Sequence, residues 1–121
     1  MDKKDSIRVS SNEIGLEIGL VLSRFFLDTE HLHFGYWPDD LDVNLDNLYK
    51  AQEYHSDKII HSIPKNVKTI LDVGSGSGGL AKKLVDNNYE VDCVSPSEYL
   101  SDSIEQKLKN KVTVYRSTFE D

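Results

Sequence analysis

Hydrophobic positions change their spacing along this chain, from a three- and four-residue repeat near the N-terminus to short continuous runs after residue 66. Between Ile14 and Phe26 the apolar residues recur at helical spacing, which predicts an amphipathic helix of about 16 residues. Ser10 or Ser11 supplies the hydroxyl that favours an N-cap. This first third of the chain is therefore too apolar to be a solvated tail.

A second helix is predicted to start from an N-cap at Asn44 or Asp46 and to be stopped by Pro64. One side of this helix carries six residues, namely Leu48, Gln52, His55, Ile59, Ile60 and Ile63. We expect both N-terminal helices to pack over a sheet or to cover a ligand cleft. The turn after Pro64 marks a boundary between a helical lid, residues 1–64, and a second unit, residues 65–121.

The second unit alternates between strand and helix patterns. Apolar runs rich in β-branched residues predict three strands, at Val67–Val73, Tyr89–Val94 and Val112–Tyr115. Helical spacing predicts helices through Leu80–Val85 and over Ser97–Lys109. This order predicts an α/β fold with a parallel sheet. The first run is also of the kind expected for a strand that is covered on both faces.

A glycine-rich turn joins the first predicted strand to the helix behind it. Gly74, Gly76 and Gly79 satisfy the pattern G-x-G-x-x-G, in which the glycines allow a tight turn, a close ligand and close packing of helix on strand. The helix start would face the ligand with free N–H groups and the positive end of its dipole. A turn that only tightens the connection is the alternative. The strand before it, the helix after it and a second strand about 20 residues further on favour a nucleotide-type cofactor cleft.

Asp72, two residues before the first glycine, discriminates between cofactors. Dinucleotide-binding strands usually carry an apolar or small residue there, whereas a carboxylate suits a ligand with a cationic amino-acid end. The sequence Leu71–Gly78 resembles the first motif of the class I S-adenosylmethionine-dependent methyltransferases of small-molecule type and matches every specified position. The resemblance implies S-adenosyl-L-methionine as cofactor and Asp72 as a contact of its methionine portion. It also implies a cofactor-binding loop that contains Gly74, Ser75, Gly76 and Gly78.

The resemblance extends to the ends of the next two strands. At Ser95 the family often has an acid that binds both ribose hydroxyls, and here one hydroxyl replaces that carboxylate, as also occurs in the cyclopropane-fatty-acid synthase group. Thr118 stands where an acid or amide usually contacts the adenine amine. Phe119 is expected either as a flat apolar wall beside the adenine or as ordinary packing at a strand end. Ser97 is expected to cap the intervening helix.

An aromatic segment separates the two N-terminal helices. Residues 31–40 resemble the H-x-G-Y-W type segment that closes over cofactor and substrate in many small-molecule methyltransferases. Tyr36 and Trp37 are expected either as an aromatic wall around the sulfonium charge or as filling between helix and sheet. His31, His33 and Tyr36 are candidate catalytic residues, with surface or capping histidines as the competing interpretation. Two histidines without a third ligand make a poor metal site, so no metal is predicted.

Composition narrows the class of partner. The formal net charge is −7, and no stripe of Lys and Arg is present to replace the counterions of a nucleic-acid backbone. We expect no membrane partner, since no apolar run approaches spanning length and the charged start lacks the apolar stretch of a signal peptide. The single cysteine, Cys93, falls within a predicted strand and is expected as a buried thiol. A reducing, cytoplasmic location fits this cysteine usage.

Length limits what the resemblance implies. A complete core of this class is a Rossmann-like three-layer αβα fold with seven strands in the order 3-2-1-4-5-7-6, whereas 121 residues end after the third strand, in the order 3-2-1. The first strand then has an unpaired edge, which we expect to pair with a second copy of the chain or with a complementary second-half chain. Residues that select the methyl acceptor are expected in the lid and in the second half of the fold.

Three functions follow from these observations. The leading one is a methyltransferase acting on a small-molecule acceptor, with this chain carrying the cofactor-binding half. The second is a non-catalytic, truncated or split methyltransferase-like domain that binds the cofactor or a partner. The third is half of an NAD-dependent oxidoreductase domain, and Asp72 together with the missing acid at Ser95 argues against it.

Overall fold

The computed structural model describes residues 10–121, so the charged start of the chain lies outside the described residues. The helices are α1 (Ser11–Leu27), α2 (Leu48–His61), α3 (Gly79–Asp86) and α4 (Glu98–Leu108). The strands are β1 (Thr69–Val73), β2 (Glu90–Val94) and β3 (Val112–Tyr115). Short 3-10 turns at Leu45–Asn47 and Lys109–Lys111 precede α2 and β3.

The three strands form one parallel sheet in the order β1-β2-β3. The register pairs Asp72 with Cys93 and Cys93 with Val114, so these three residues share one face of the sheet. Within residues 10–121, β1 pairs with β2 alone. The predicted α/β class, the strand order and the unpaired edge of the first strand are therefore confirmed for the described residues.

The hydrophobic core lies between this face of the sheet and helices α3 and α4. The buried residues of the core are Ala81, Leu84, Val91, Cys93, Ile104 and Leu108. Two successive right-handed crossovers in the same direction place both helices on the same side of a parallel sheet. Burial of each large aliphatic side chain here stabilises the fold by roughly 1.5–3 kcal/mol.

The opposite face of the sheet is largely open. Leu71 and Val73 on β1 are 50% and 48% exposed, and Tyr115 on β3 is also about half exposed. The expectation that the first strand is covered on both faces is therefore wrong for the described residues. The physical reason is that α3 and α4 both pack on the other face, against the core.

The helix ends agree in part with the predicted caps. Ser10 caps α1 by accepting a hydrogen bond from the Glu13 backbone N–H at 3.1 Å, and Ser97 caps α4. Asn44 caps the 3-10 turn, and α2 itself begins without a side-chain cap. Helix α2 ends at His61, before the proline that was expected to stop it.

Helix α1 forms as predicted, but most of its apolar residues are not covered. Leu20 is its one fully buried residue, whereas Phe25 and Phe26 are 79% and 70% exposed. The helical spacing correctly indicated a helix. It did not indicate what the apolar stripe packs against, because in the described residues α1 lies mainly against α4.

Candidate functional site

A cavity of about 390 Å³ opens at the carboxyl end of β1. The glycine turn, residues 73–80, forms one side together with Asp72, and the other side carries His31, His33 and His55. Ligands of open α/β sheets bind outside the carboxyl ends of the strands. The volume falls within the range of small-molecule pockets.

The glycine turn has the backbone that its sequence predicts. Gly74, Gly76 and Gly78 have φ values of 73°, 55° and 83°, in the left-handed region that favours glycine. A Cβ at Gly76 would meet no atom within 4 Å, so this glycine borders open space. A Cβ at Gly78 would lie 3.0 Å from the Ile104 side chain, and one at Gly79 would lie 3.1 Å from the His31 ring. The turn is therefore open at Gly76, packed against α4 at Gly78 and packed against the His31 ring of the facing wall at Gly79.

Asp72 carries a buried carboxylate that the protein does not neutralise. Its Oδ2 atom is shielded from solvent and has no hydrogen-bond partner. Burial raises the pKa of Asp72, and the nearby Ser75 hydroxyl lowers it only in part. That hydroxyl donates to the Asp72 backbone carbonyl at 2.6 Å. Burial also raises the pKa of the adjacent Cys93 thiol to about 11, which keeps this thiol protonated at neutral pH.

A second polar atom in the same cavity is also unsatisfied. His55 Nδ1 and Asp72 Oδ2 are the two buried side-chain atoms in residues 10–121 without a hydrogen-bond partner. An unsatisfied buried polar group costs roughly 1–3 kcal/mol. Burial, followed by the charges of His33 and Lys58, lowers the pKa of His55. Two such groups in one cavity indicate a ligand that satisfies both.

Three histidine rings form a stack along this wall. The ring centroids of His31 and His33 are 4.8 Å apart, and those of His33 and His55 are 4.7 Å apart. His31 Nε2 donates to Glu53 at 2.7 Å, and His33 Nδ1 donates to the Phe34 carbonyl at 2.7 Å. The pKa of His31 is lowered by burial, in spite of the Glu53 carboxylate. The side chain of His31 is only 9% exposed.

Buried polar contacts hold the His31–His33 segment against α2. The side-chain amide of Gln52 donates to the carbonyls of His31 and His33 at 3.2 and 2.9 Å. Its carbonyl oxygen accepts from the Thr29 hydroxyl at 2.8 Å. The segment is also joined to the glycine turn, because the Ser77 hydroxyl donates to the Glu30 carbonyl at 2.6 Å.

Tyr36 and Trp37 lie away from the cavity. The ammonium of Lys58 is 3.9 Å from the centroid of the Tyr36 ring, which gives this ring a cation–π partner within the chain. Trp37 lines a neighbouring groove beside α1, which also contains His31 and His33. Neither aromatic residue is therefore among those that line the cavity.

Ser95, Thr118 and Phe119 do not line the cavity either. Ser95 is buried and donates its backbone N–H to the Tyr115 carbonyl at 2.9 Å. Thr118 donates its hydroxyl to Asp121 at 2.7 Å, and Phe119 is 65% exposed. The structure brings Asp72, the glycine turn, His31 and His33 together and leaves these three residues outside the group.

The start of α4, beside Ser95, is satisfied from within the chain. One carboxylate oxygen of Glu13 on α1 accepts from the Ser97 hydroxyl at 2.8 Å and from the Tyr99 backbone N–H at 2.9 Å. A carboxylate in this position favours a helix N-terminus both by hydrogen bonding and through the helix dipole. No free anion site remains at these donors.

Two other kinds of feature are not found in the described residues. No group of three or more His, Cys, Asp or Glu side chains in residues 10–121 is arranged to hold a metal ion. None of the helices described here is both long and apolar enough to cross a membrane.

Comparison with solved structures identifies the architecture. A mycolic acid cyclopropane synthase complexed with SAH and CTAB matches 93% of this chain with a TM-score of 0.68 at 21% identity. A geranyl diphosphate C-methyltransferase from Streptomyces coelicolor matches 93% with a TM-score of 0.68 at 14% identity. The described residues share the Rossmann-like fold of these proteins. The resemblance inferred from the sequence is thus confirmed at the level of fold.

The Rossmann-like fold is shared over only part of those proteins. The chain spans 42% of the cyclopropane synthase and 51% of the geranyl diphosphate C-methyltransferase, about half of each or less. The cyclase SpnF also matches, with a TM-score of 0.62 at 16% identity, over 91% of this chain and 43% of its own. No protein-family model matches the sequence, and no curated protein matches it either. A shared fold does not fix the reaction, so the function must be argued from the site.

Sequence reasoning missed the contributions of α2 to the candidate site. His55, Gln52 and Glu53 were not recognised as site residues, although Gln52 and His55 were placed on the apolar side of the helix. Gln52 is 4% exposed and fully engaged in hydrogen bonds to the His31–His33 segment. Polar side chains on an otherwise apolar helix face were the available signal, because buried polar groups need specific partners.

Proposed function

We propose that this chain is the cofactor-binding half of an S-adenosylmethionine-dependent methyltransferase that acts on a small-molecule acceptor. The single observation that carries the proposal is the unsatisfied, buried carboxylate of Asp72 beside the open glycine turn. A ligand ammonium group would supply the missing partner and the missing positive charge. Gly74, Ser75, Gly76 and Gly78 would lie along the rest of the cofactor's methionine end.

The site residues fit the chemistry of that cofactor. When bound, S-adenosylmethionine supplies an electrophilic methyl group on a cationic sulfur. The chain would contribute binding, orientation and exclusion of water, which suffice for a displacement between two well-aligned groups. No side-chain nucleophile is required of this half.

Among the candidate catalytic residues, His33 has the most suitable position for a proton acceptor. It lines the cavity, its Nδ1–H is committed to the Phe34 carbonyl, and its Nε2, which lies 3.4 Å from the Ser56 hydroxyl, is the acceptor atom of the ring. His31 already donates to Glu53, and Tyr36 faces Lys58 outside the cavity. We keep His33 as the proposed base for a hydroxyl acceptor.

The similar structures support both the cofactor and the size of the acceptor. The cyclopropane synthase and the geranyl diphosphate C-methyltransferase were both solved with S-adenosylhomocysteine, and the latter also with a geranyl diphosphate analogue. SpnF has a similar fold and is described as a [4+2]-cyclase. A chain that binds the cofactor without transferring a methyl group is therefore the second candidate. Ser95, Thr118 and Phe119 stay in the proposal as the adenosine end of the site.

The open edge of β1 and the exposed Leu71 and Val73 beside it support a partner. We propose that a second copy or a complementary second-half chain extends the sheet there. Light scattering on the purified chain should give a molar mass at least twice that of one chain. A stable monomer at high concentration would exclude the second copy.

The division into a lid, residues 1–64, and a cofactor unit, residues 65–121, remains part of the proposal. The lid's α2 contributes His55 to the cavity, as expected of a segment that closes over a cofactor.

A cytoplasmic location is proposed from the buried, unpaired thiol of Cys93, which suits a reducing compartment.

Calorimetric titration of the chain with S-adenosylhomocysteine, run beside NAD, tests the proposed function. We expect one binding site for S-adenosylhomocysteine and none for NAD, because only the former brings an ammonium group to Asp72. Absence of binding for both ligands would refute the cofactor site. A preference for NAD would favour the alternative that the chain is half of an oxidoreductase domain.

A further inference from the structure

The two unsatisfied atoms in the cavity differ in chemistry. Asp72 Oδ2 is an acceptor on an acidic group, and His55 belongs to an imidazole that can donate an N–H. A ligand with a single charge would satisfy one of them. A zwitterionic amino-acid group, with an ammonium and a carboxylate on the same carbon, would satisfy both.

We propose that His55 donates a hydrogen bond to the α-carboxylate of the cofactor's amino-acid end while Asp72 accepts from its α-ammonium. This inference rests on the proposed function and makes His55 the residue that selects for the carboxylate.

The other polar groups of the cavity wall are already committed. Neither lysine nor arginine is among the residues that line it in the described part of the chain. His31 donates its ring N–H to Glu53, and His33 donates its ring N–H to Phe34. Of the three stacked histidines, His55 alone has no hydrogen bond within residues 10–121, so its ring N–H is the side-chain donor that remains for a carboxylate.

The nearest cations have other partners. Lys83 forms ion pairs with Glu53 at 2.8 Å and with Asp57 at 2.7 Å. Lys58 lies over the ring of Tyr36. An anionic ligand group in the cavity is therefore left to His55 and to backbone N–H groups of the glycine turn.

The test uses three ligands that differ only at the amino-acid end. S-adenosylhomocysteine has both charged groups, its decarboxylated analogue keeps the ammonium alone, and 5′-methylthioadenosine lacks both. His55→Leu should weaken binding of S-adenosylhomocysteine about tenfold or more and leave the other two ligands within about twofold. His61→Leu is the matched control, since His61 is exposed on the same helix and outside the cavity, and it should leave all three affinities unchanged.

The outcomes separate this inference from the proposed function. If the wild-type chain binds no S-adenosylhomocysteine, the proposed function fails, and this inference fails with it. If the wild type binds it and His55→Leu binds it equally well, only the inference is wrong. An equal loss for all three ligands would show that His55 supports the fold, which also overturns the inference.

A measurement on the unmodified chain avoids the risk that a variant misfolds. The ring nitrogens of His55 should shift in a ¹⁵N NMR spectrum when S-adenosylhomocysteine is added. Saturation with the decarboxylated analogue should leave them near their ligand-free positions. Equal shifts with both ligands would contradict a hydrogen bond to the carboxylate.

Discussion

The two ends of the proposed cofactor cleft differ in how far the protein satisfies its own polar groups. At the methionine end, Asp72 and His55 each keep a buried atom without a partner. At the adenosine end, Thr118 is paired with Asp121, and Ser97, which caps α4 beside Ser95, is paired with Glu13. Both ends follow the carboxyl edges of parallel strands, so topology alone does not distinguish them.

The difference teaches where the described residues are prepared for a ligand. A polar group that already has a partner stabilises the folded chain and adds little free energy of binding when a ligand arrives. A buried group without a partner destabilises the chain, and a ligand that bonds to it removes this whole penalty. Variants at the methionine end should therefore change binding strongly. Variants at the adenosine end should change stability more than binding.

The largest effect is expected from Gly76→Val at the methionine end. Gly76 has a φ of 55° and borders open space, so a β-branched side chain would be strained and would project into the cleft. Affinity for S-adenosylhomocysteine, measured by calorimetry, should fall at least about 100-fold. Gly15→Ala is the control, since a Cβ there also meets no atom within 4 Å, and this helix substitution should leave binding unchanged. Normal affinity in Gly76→Val would break the comparison.

Asp72→Asn should separate binding from stability. Loss of a charge-assisted hydrogen bond should weaken S-adenosylhomocysteine about 10- to 100-fold at pH 7. Removal of an unsatisfied buried carboxylate should stabilise the ligand-free chain by about 1 kcal/mol, measured by urea unfolding. A variant that binds normally, or that loses stability, would contradict an orphaned carboxylate at this end.

The pH dependence of folding stability tests whether Asp72 is destabilised by burial. Because burial raises the pKa of Asp72, the folded state holds the proton more tightly than the unfolded state does. The stability of the wild type should therefore fall as pH rises from the unfolded pKa through the raised folded pKa. Urea unfolding across this range should show the advantage of Asp72→Asn at neutral pH and its disappearance at lower pH. An advantage that grows toward low pH would refute the assignment.

Ser97→Ala addresses the adenosine end. The substitution removes an N-cap and one hydrogen bond to Glu13, so the free energy of unfolding should drop by about 1 kcal/mol. Affinity for S-adenosylhomocysteine should change less than about threefold, which is under 1 kcal/mol. A loss of affinity as large as that of Asp72→Asn would erase the distinction between the two ends.

The smallest effect is expected from Phe119→Ala. Phe119 is 65% exposed and lies outside the cavity, so the free energy of unfolding, measured by thermal unfolding, should change by less than about 0.5 kcal/mol. Affinity for S-adenosylhomocysteine should fall by less than about threefold, as expected of an exposed ring that adds one weak contact to the adenosine end. A larger loss would contradict the distinction between the two ends.

The sequence predicted the parts of this structure that depend on local pattern. The Ser10 and Ser97 caps and the left-handed glycine turn follow from spacing and residue type, whereas the strand order was implied by the resemblance to a known family. The open face at Leu71 and Val73 was missed, because an apolar run does not show which side its helices will cover. The sequence left open whether Tyr36 lines the cavity, because Lys58, which packs on its ring, lies far from it in sequence and close in space.

The candidate site was predictable on one side only. Asp72 and the glycine turn are adjacent in sequence, so one motif reveals them. His55 reaches the same cavity from another helix, and its role depends on which neighbouring histidines already have partners. Such a contact is set by packing, and no spacing rule encodes it.

Chemical-shift mapping of the ¹⁵N-labelled chain with S-adenosylhomocysteine tests the central claim most directly. The account predicts that the perturbed amides cluster at Asp72 and the glycine turn, residues 73–80, together with the ring of His55. Perturbations confined to Ser97, Thr118 and Phe119, or no perturbation at saturating ligand, would contradict it.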